Sequence, residues 1–581
     1  MNLGARTRHP VISFISNRMS VKTKQPSVKP RQLTVKPKPG SEPKPQRFSA
    51  PLKRLWPLFV LGLVILFFAA VRIRLLYSPL ERDEGEYAYA GQLILQGIAP
   101  YKLAYNMKLP GTYAAYALIM AVFGQTPAAI HLGMILVNAI TVVLIFALAK
   151  HLFDDIAAIT AAISYALLSN SESVLGFAGH ATHFVALAAV AGILCLLKAF
   201  DSKSRLLYFL SGAFTGLSFV FKQPGLVFVV FGAFLLFVHE WRELRTRAGI
   251  ARFALYGIGA AFPFALTCLL MFFSGQLGKM WFWTFAYASQ YASSTILWEG
   301  WENLFIMADH VVAPCVLVWI MALLGLAAIV WDRRLWKRAL FTTTFLAFSW
   351  LGVCAGFYFR AHYFILVLPA ASLLAGMTMS AAQHELSKFF SKATTAAICA
   401  AVLAAVMVVS VEAQRDVFFD MDLISISRLS YGPSPFPEAE VISKYLGQHA
   451  DKGATLAVLG SEPEVYFLAN RHSATGYIYV YPLFEPQKFA VQMQKDMARE
   501  IEGNSPEYLV LVKVSTSWGM RSASDRWILT WFKSYLAANY QIVGVADEIA
   551  PQTRYVWGDA AKTYKEESDF AVEIFKRSNL P

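Results

Sequence analysis

The chain has 581 residues, 56% of them hydrophobic and only 15% charged, with a mean hydropathy of +0.46. Because soluble globular domains carry about 25% charged residues, this composition excludes an ordinary soluble protein and predicts an integral membrane protein. The net charge of +14 could suggest a nucleic-acid partner. Residues 1–54, however, hold thirteen Lys/Arg and one acid, so nearly all of the surplus belongs to one segment, and we expect no nucleic-acid binding.

Residues 1–54 include "VKTKQPSVKPRQLTVKPKPGSEPKPQ", which is rich in lysine and proline and has few side chains able to build a core. We therefore predict a disordered tail. Its positive charge, directly before an apolar segment, predicts a cytoplasmic position beside anionic lipid. The apolar segment that follows is too long for a signal peptide, so the tail is not read as a secretion signal.

Eleven apolar segments are candidates for transmembrane helices, because a helix needs about 20 residues to cross a bilayer. The basic loops 201–205, 239–252, 332–338 and 387–392 alternate with loops poorer in Lys/Arg, so all four lie inside if the N terminus is cytoplasmic. The eleven segments are residues 55–77, 128–150, 155–168, 183–199, 206–221, 224–239, 253–273, 309–331, 340–357, 362–380 and 395–412.

Residues 111–124 are also apolar, but they are too few to cross the membrane, and counting them as a span would move every later basic loop outside. We therefore predict that the first outer loop, residues 78–127, holds two surface helices, at about 82–97 and 108–124, which lie on the membrane or dip into it. The odd number of spans then places the C terminus outside.

Residues 413–581 differ from the helical region 55–412 in composition, since they carry mixed charge and frequent turn residues. Segments 454–460, 476–482 and 507–514 have the pattern of strands, and 437–450 that of a helix. The sequence thus predicts a polytopic α-helical membrane domain followed by an extracytoplasmic α/β domain. Five cysteines all fall in apolar stretches without metal-ligand spacing, and they predict neither disulfides nor a Cys-based zinc site.

The first outer loop opens with a cluster of acids, Glu81, Asp83, Glu84 and Glu86. Asp83 and Glu86 have the three-residue spacing of a capping box, so a purely structural role is one interpretation of this pair. Capping by that pair leaves Glu81 and Glu84 unexplained, and it gives no reason for gathering charge at a membrane surface, where charge is costly. The other interpretation is that the cluster holds a catalytic carboxylate.

Basic and polar side chains stand at the outer ends of several predicted helices. Each alone could be an interfacial anchor. Together with the acids they suit an anionic lipid substrate, whose phosphate binds the cations while its reacting group lies near a carboxylate. These side chains are Lys108, Lys222, Arg360, His362 and Tyr363.

His180 and His183 lie one helical turn apart on the same outer side, so they could face one ligand. With Glu172 they could hold a metal, although three such residues often occur in a polar loop by chance. The sequence shows no clear ligand set. We therefore predict no metal and no cofactor, without excluding a divalent ion.

The segments "RDEGEYAYAGQLILQGIAPY" and "KLPGTYAAYALIMAVFG" resemble the first outer loop of C-type (GT-C fold) glycosyltransferases, in the bacterial branch related to protein O-mannosyltransferases and the lipid A aminoarabinose transferase. In that family an Asp-Glu pair opens one surface helix, and a K-x-P sequence opens a second helix that ends near Phe-Gly. "FKQPG" (221–225), "RAHYFILVLP" (360–369) and "VLGSEPEVYFLANRHSATGYIYVYP" (458–482) resemble later parts of the family. The resemblance covers nearly all of residues 55–515.

The resemblance implies an enzyme of the inner or plasma membrane that moves a sugar from a polyprenyl-phosphate donor to a lipid, glycan or protein acceptor on the outer face. Carried over by motif, Asp83 is the base that deprotonates the acceptor, and attack inverts the anomeric carbon. Glu84 positions the acceptor or assists. Lys108 and Arg360 neutralise the departing phosphate, and Lys222 could do the same.

Two other membrane functions compete with this one. A transporter or flippase of lipid-linked sugars should carry polar residues at mid-membrane depth, and the predicted spans have almost none. A polysaccharide polymerase or ligase typically relies on a large outer loop late in the chain, whereas the acids of this chain lie in the first loop. A scaffold that merely presents residues 413–581 would need no acid at Asp83.

Overall fold

A computed structural model describes residues 49–549 and 552–578. The predicted disordered tail, residues 1–54, lies almost entirely outside the described residues. The described residues from 54 onward belong to one compact unit. The membrane helices and the C-terminal region therefore have defined positions relative to each other.

Helices account for most of the chain up to residue 412, and each of the eleven predicted spans overlaps one or more of them. They are α1 (Ser49–Arg74), α2 (Arg82–Leu95), α3 (Pro110–Phe123), α4 (Pro127–Leu152), α5 (Asp155–Ser169), α6 (Ala181–Ser202), α7 (Arg205–Phe221), α8 (Leu226–Glu240), α9 (Arg247–Phe273), α10 (Leu277–Trp281), α11 (Ala288–Ala292), α12 (Leu297–Val312), α13 (Val316–Ala328), α14 (Trp336–Val353), α15 (Leu368–Leu386) and α16 (Lys392–Glu412).

The predicted class of polytopic helical membrane protein is confirmed. Within the described ranges, seven stretches are long and apolar enough to cross a membrane by length and composition. They are Leu55–Arg74, Pro127–Leu152, Ala181–Ser202, Gln223–Glu240, Arg247–Phe273, Leu297–Ala328 and Lys392–Glu412.

The predicted pair of short helices in the first outer loop is present as α2 and α3. Pro110 takes the first position of α3, where its missing N–H costs nothing. With 14 residues, α3 is about 21 Å long, whereas the hydrocarbon core is about 30 Å thick. The two helices pack closely, since a Cβ atom at Gly91 would lie 2.9 Å from the backbone nitrogen of Ala117.

The C-terminal region combines helices with one six-stranded sheet. Its helices are α17 (Leu423–Tyr431), α18 (Phe436–His449), α19 (Glu464–Ala469), α20 (Tyr481–Phe484), α21 (Ala490–Asn504), α22 (Trp527–Asn539) and α23 (Asp559–Thr563). Its strands are β1 (Thr455–Leu459), β2 (His472–Ser473), β3 (Tyr508–Val512), β4 (Tyr540–Ile549), β5 (Gln552–Trp557) and β6 (Ala571–Arg577). The strand order is β2-β1-β3-β6-β4-β5, with β1 parallel to β2 and β3 and the remaining pairs antiparallel.

The predicted α/β class of this region is confirmed, but one predicted strand is wrong. Segments 454–460 and 507–514 contain β1 and β3, and 437–450 matches α18. Segment 476–482 has irregular backbone and enters α20. Its apolar side chains are buried as the alternating pattern suggests, but the Gly476 carbonyl accepts a hydrogen bond from the Tyr105 N–H (2.6 Å). This backbone therefore pairs with the first outer loop instead of the sheet.

The C-terminal region lies directly against α2. The Tyr89 hydroxyl accepts a hydrogen bond from the Ser473 N–H (2.8 Å). A Cβ atom at Gly85 would lie 2.6 Å from the backbone nitrogen of Glu464, so only glycine allows this approach. Contact with the sheet region thus fixes the helix that begins with the acidic cluster.

Candidate active site

The start of α2 divides the four acids into two pairs. The Glu81 carboxylate accepts from the Glu84 N–H (2.9 Å), and the Glu84 carboxylate accepts from the Glu81 N–H (3.5 Å), which is a capping box. The capping interpretation of Asp83 and Glu86 is therefore wrong, because the same three-residue spacing is used two residues earlier. Asp83 and Glu86 are left to bind other groups.

Lys108, in the turn before α3, joins the second pair. Its ammonium donates to Asp83 Oδ1 (2.7 Å) and to Glu86 Oε2 (2.8 Å). Glu86 also accepts from Asn106 Nδ2 (2.6 Å) and the Tyr113 hydroxyl (2.5 Å). The side chain of Glu86 is 1% exposed, whereas that of Asp83 is 16% exposed. Glu86 is thus locked among protein groups, and Asp83 is the acid of this pair that a ligand can reach.

The electrostatic environment keeps Asp83 ionised. Burial by itself would raise the pKa of Asp83, but Lys108, His180 and His362 more than offset burial, and the pKa lies well below its usual value. Burial raises the pKa of Glu86, and Lys108 only partly opposes it. At neutral pH Asp83 is therefore a carboxylate that can accept a proton or bind a cation.

Two histidines from distant parts of the chain complete the surroundings of Asp83. The rings of His180 and His362 stack with their centroids 4.1 Å apart and an interplanar angle of 14°. His180 Nδ1 lies 3.7 Å from Asp83 Oδ2 and equally far from Glu81 Oε1. Neither ring nitrogen of His180 has a hydrogen-bond partner among the described residues, although both are buried. Both nitrogens of His180 are therefore available to bind a further group.

These side chains could also hold a metal. Ligand atoms of Asp83, His180 and His362 all lie within 4.8 Å of one another, and one carboxylate with two imidazoles is a common ligand set for Zn²⁺ and similar ions. The two unpartnered nitrogens of His180 fit this use. Lys108 opposes it, because its ammonium already lies 2.7 Å from Asp83.

The metal set considered from the sequence, Glu172 with His180 and His183, is not brought together. Only His180 of these three belongs to the cluster of possible ligands among the described residues. The Glu172 carboxylate lies 4.0 Å from His310. His183 is 1% exposed, one turn into α6, and packs inside the helix bundle.

Of the other predicted groups, Lys222 and Arg360 lie at the ends of helical segments, and Tyr363 is in contact with Lys222. Lys222 ends α7, and its ammonium lies 4.2 Å from the ring centroid of Tyr363. Burial lowers the pKa of Lys222 to about 7, with Asp83 opposing this shift and Lys108 and Arg360 adding to it. Lys222 thus lies within electrostatic reach of Asp83, Lys108 and Arg360. The Arg360 guanidinium also lies 5.5 Å from the ring of Tyr358.

Glu84 faces away from Lys108. Its Oε1 accepts from the Gly179 N–H (2.6 Å) and lies 3.1 Å from His131 Nε2, and the residue is 2% exposed. Gly179 precedes His180, so Glu84 holds in place the loop that carries this histidine. Glu84 thus positions this loop through buried contacts, and its predicted part in positioning or assisting the acceptor stays a prediction.

Sequence reasoning missed the contribution of the C-terminal region. Lys108 Nζ lies 4.6 Å from the ring centroid of Tyr87 and 5.7 Å from that of Tyr479. Arg82 donates to the Ser461 carbonyl (2.8 Å) and to the Tyr481 hydroxyl (2.9 Å). The tyrosines at 479 and 481 stand in the segment misread as a strand, and no local pattern links them to Lys108.

The chain is similar to several solved membrane proteins over most of its length. ArnT from Cupriavidus metallidurans, bound to undecaprenyl phosphate, is 13% identical with a TM-score of 0.54, covering 91% of this chain and 98% of that one. The apo form of the same protein is 14% identical, with the same TM-score and coverage. The apo oligosaccharyltransferase of Archaeoglobus fulgidus is 13% identical with a TM-score of 0.52, covering 87% and 75%. The chain thus has the GT-C fold.

A comparison of the sequence with protein-family models gives a further similarity. Residues 108–268 match the family described as dolichyl-phosphate-mannose-protein mannosyltransferase. The matched segment begins at Lys108 and contains His180 and Lys222. No curated protein matches the chain by sequence. The predicted relationship to ArnT and the O-mannosyltransferases is confirmed.

Proposed function

We propose that this protein is a membrane glycosyltransferase that moves a sugar from a polyprenyl-phosphate donor to an acceptor hydroxyl, with Asp83 as the general base. The observation that carries the proposal is the partly exposed Asp83 carboxylate, which shares Lys108 with a fully buried acid. Proteins of the same fold support the donor class, because one is bound to undecaprenyl phosphate and another to dolichol phosphate.

In the proposed reaction the acceptor oxygen attacks the anomeric carbon and loses its proton to Asp83. The bond between that carbon and the phosphate oxygen breaks on the opposite side, so the configuration inverts. The bonding electron pair stays on the phosphate, which leaves as polyprenyl phosphate. Lys108, Lys222 and Arg360 stabilise the negative charge that develops there.

The shared ammonium also explains how an acid with a low pKa can act as a base. In the free enzyme Lys108 holds the pKa of Asp83 down. When a donor phosphate accepts a hydrogen bond from Lys108, Asp83 loses part of this stabilisation, and its pKa rises toward the range of an effective base. Donor binding thus prepares Asp83 for the acceptor.

The proposal includes the orientation predicted from the basic loops. The protein lies in the cell inner membrane and has a membrane domain, residues 55–412, followed by a soluble domain, residues 413–581. The first outer loop faces the extracytoplasmic side. The site contains residues from both domains, because Tyr479 lies near Lys108. The C-terminal domain is therefore proposed to form one wall of the substrate site.

The direct test incubates the purified full chain with a panel of polyprenyl-phosphate sugars and acceptors and follows the release of free polyprenyl phosphate. We expect release that depends on both the donor sugar and an acceptor. A protein in vesicles that moves the intact donor across the bilayer without any release would instead be a transporter, and the proposal would be wrong.

A further inference from the structure

A cavity of about 1000 Å³ lies between α1, α5, α15 and α16, where α5 and α16 begin and α15 ends. Neither Asp83 nor Lys108 lines it. The loop that follows the other end of α5 carries His180, so the cavity and the candidate active site lie at opposite ends of this helix. The proposed glycosyl transfer gives this cavity no role.

Most of the cavity wall is an apolar slot that follows two helix axes. Side chains on α5 and on α16 recur at intervals of three or four residues, which places each set along one face of its helix. The slot therefore runs along these two helices, and it has the lining expected for a hydrocarbon chain. The wall residues are Ile156, Ile159, Ile163, Ala400, Leu403 and Met407.

The end of the cavity at the start of α16 is polar. Thr395 lines it and is 2% exposed, and its hydroxyl has no hydrogen-bond partner among the described residues. Lys392, one turn earlier, is exposed and lines the same end, as do Arg334 and His384. The first turn of α16 holds no acid, so its positive helix end adds to the attraction for an anion.

The acids that line the cavity already have partners. Asp155 pairs with Lys150 at 2.9 Å. Asp154 accepts from the Ala157 N–H (2.9 Å) and from the Ser380 hydroxyl. The basic groups, by comparison, can still donate hydrogen bonds to a further acceptor.

Arg334 binds Asp332 through Nε and one terminal nitrogen, which leaves the other for a further acceptor. Lys392 takes part in no ion pair among the described residues. The Lys392 ammonium is therefore a cation of the cavity without an acidic partner among the described residues, and it lies one turn from an unsatisfied buried hydroxyl. A phosphate group fits both features.

We propose that this cavity binds an anionic glycerophospholipid of the bilayer. Its phosphate lies at Lys392, Thr395 and Arg334, and one acyl chain fills the slot between α5 and α16. The exposed positions Trp56 and Ala400 mark where the slot opens to the surrounding lipid. The bound lipid closes the gap between α1 and the rest of the bundle and stabilises the membrane domain.

The test measures lipid binding to the purified full chain by native mass spectrometry during titration with phosphatidylglycerol. A diacylglycerol with the same chains lacks the phosphate. It should bind at least about tenfold more weakly, since the phosphate supplies charge-assisted hydrogen bonds. Undecaprenyl phosphate is titrated in parallel. Equal binding of phosphatidylglycerol and diacylglycerol would overturn the proposal, and so would replacement of phosphatidylglycerol by equimolar undecaprenyl phosphate.

Two variants locate the bound lipid. Lys392→Gln removes the phosphate contact, and Ala400→Trp fills the slot from its open side, so each should weaken phosphatidylglycerol binding about tenfold. Lys337→Gln is the matched control, because Lys337 is exposed at the same end of the bundle and does not line the cavity. Thermal unfolding without added lipid verifies that each variant is folded. Unchanged binding in both cavity variants would show that the lipid lies elsewhere.

Discussion

The two acid pairs at the start of α2 have the same spacing and opposite surroundings. Glu81 and Glu84 cap the helix, and Glu84 continues into buried contacts with His131 and Gly179. Asp83 and Glu86 face Lys108, and only Asp83 is open to a ligand. A carboxylate at this helix start therefore acquires its function from its partners, since both pairs have the same three-residue spacing.

Asp83→Asn changes the acid that is open to a ligand, and it should have the largest effect. If Asp83 is the base, the rate of sugar transfer should fall by about 10²- to 10⁴-fold, while binding of undecaprenyl phosphate is retained because the cations remain. The rate is measured by release of polyprenyl phosphate and binding by titration calorimetry. Asp569→Asn, at an exposed position, is the control. An Asp83→Asn protein that keeps its full rate would contradict the assignment.

Lys108→Met tests the cation that distinguishes the two pairs. The variant loses a phosphate ligand and leaves Asp83 and Glu86 buried without their counter-charge, so we expect kcat to fall by about 10²- to 10³-fold, comparable to removal of an oxyanion donor. The Kd for undecaprenyl phosphate should rise more than the KM for the acceptor. Lys102→Met changes an exposed lysine of the same loop and should alter neither. Equal loss for donor and acceptor would speak against the phosphate role.

Glu84→Gln changes the buried acid of the capping pair. The variant weakens a buried charge-assisted contact, so the free energy of unfolding should drop by about 1–3 kcal/mol, with a smaller loss of rate than in Asp83→Asn. Because burial is outweighed by His131 and Gly179, the pKa of Glu84 is lowered. Its stabilisation is therefore complete above the usual pKa of a glutamate and is lost as the pH falls through the lowered value.

Thermal unfolding at neutral and acidic pH measures this difference. Glu302→Gln, at an exposed position of α12, serves as the control and should leave stability unchanged. A Glu84→Gln protein of normal stability that has lost all activity would identify Glu84 as a catalytic residue and contradict the positioning role.

The smallest expected effect concerns Lys222 and pH. Burial lowers its pKa to about 7, so the side chain is charged below that pH and becomes neutral above it. An anionic phosphate binds the charged form, and the Kd for undecaprenyl phosphate should rise by up to about tenfold per pH unit above 7. Titrations between pH 6 and 9 measure this slope. Lys222→Arg keeps its charge and should flatten it, and an unchanged slope would exclude Lys222 from donor binding.

Local features of the sequence predicted the helical framework and singled out the residues of the candidate site. The eleven apolar segments overlap helices because the bilayer thickness and the lack of water fix both the length and the hydrogen bonding of a span. The Asp-Glu and K-x-P motifs located α2 and α3. Lys222 and Arg360 were noticeable because they are isolated basic residues at the ends of apolar segments. Each of these inferences depends on local composition or on a short motif.

Tertiary packing determines which side chains of the candidate site come into contact. Two overlapping pairs of acids have the spacing of a capping box. Only the contacts of Asp83 with Lys108 and of Glu84 with Gly179 show which acid remains open to a ligand. The alternation in 476–482 predicted a strand, but docking on Tyr105 used its backbone and brought Tyr479 to Lys108. His362 stacks on His180, although the two residues are far apart in the sequence of the membrane domain. Contacts between residues far apart in sequence depend on packing, and a single chain of residue types carries no local signal for them.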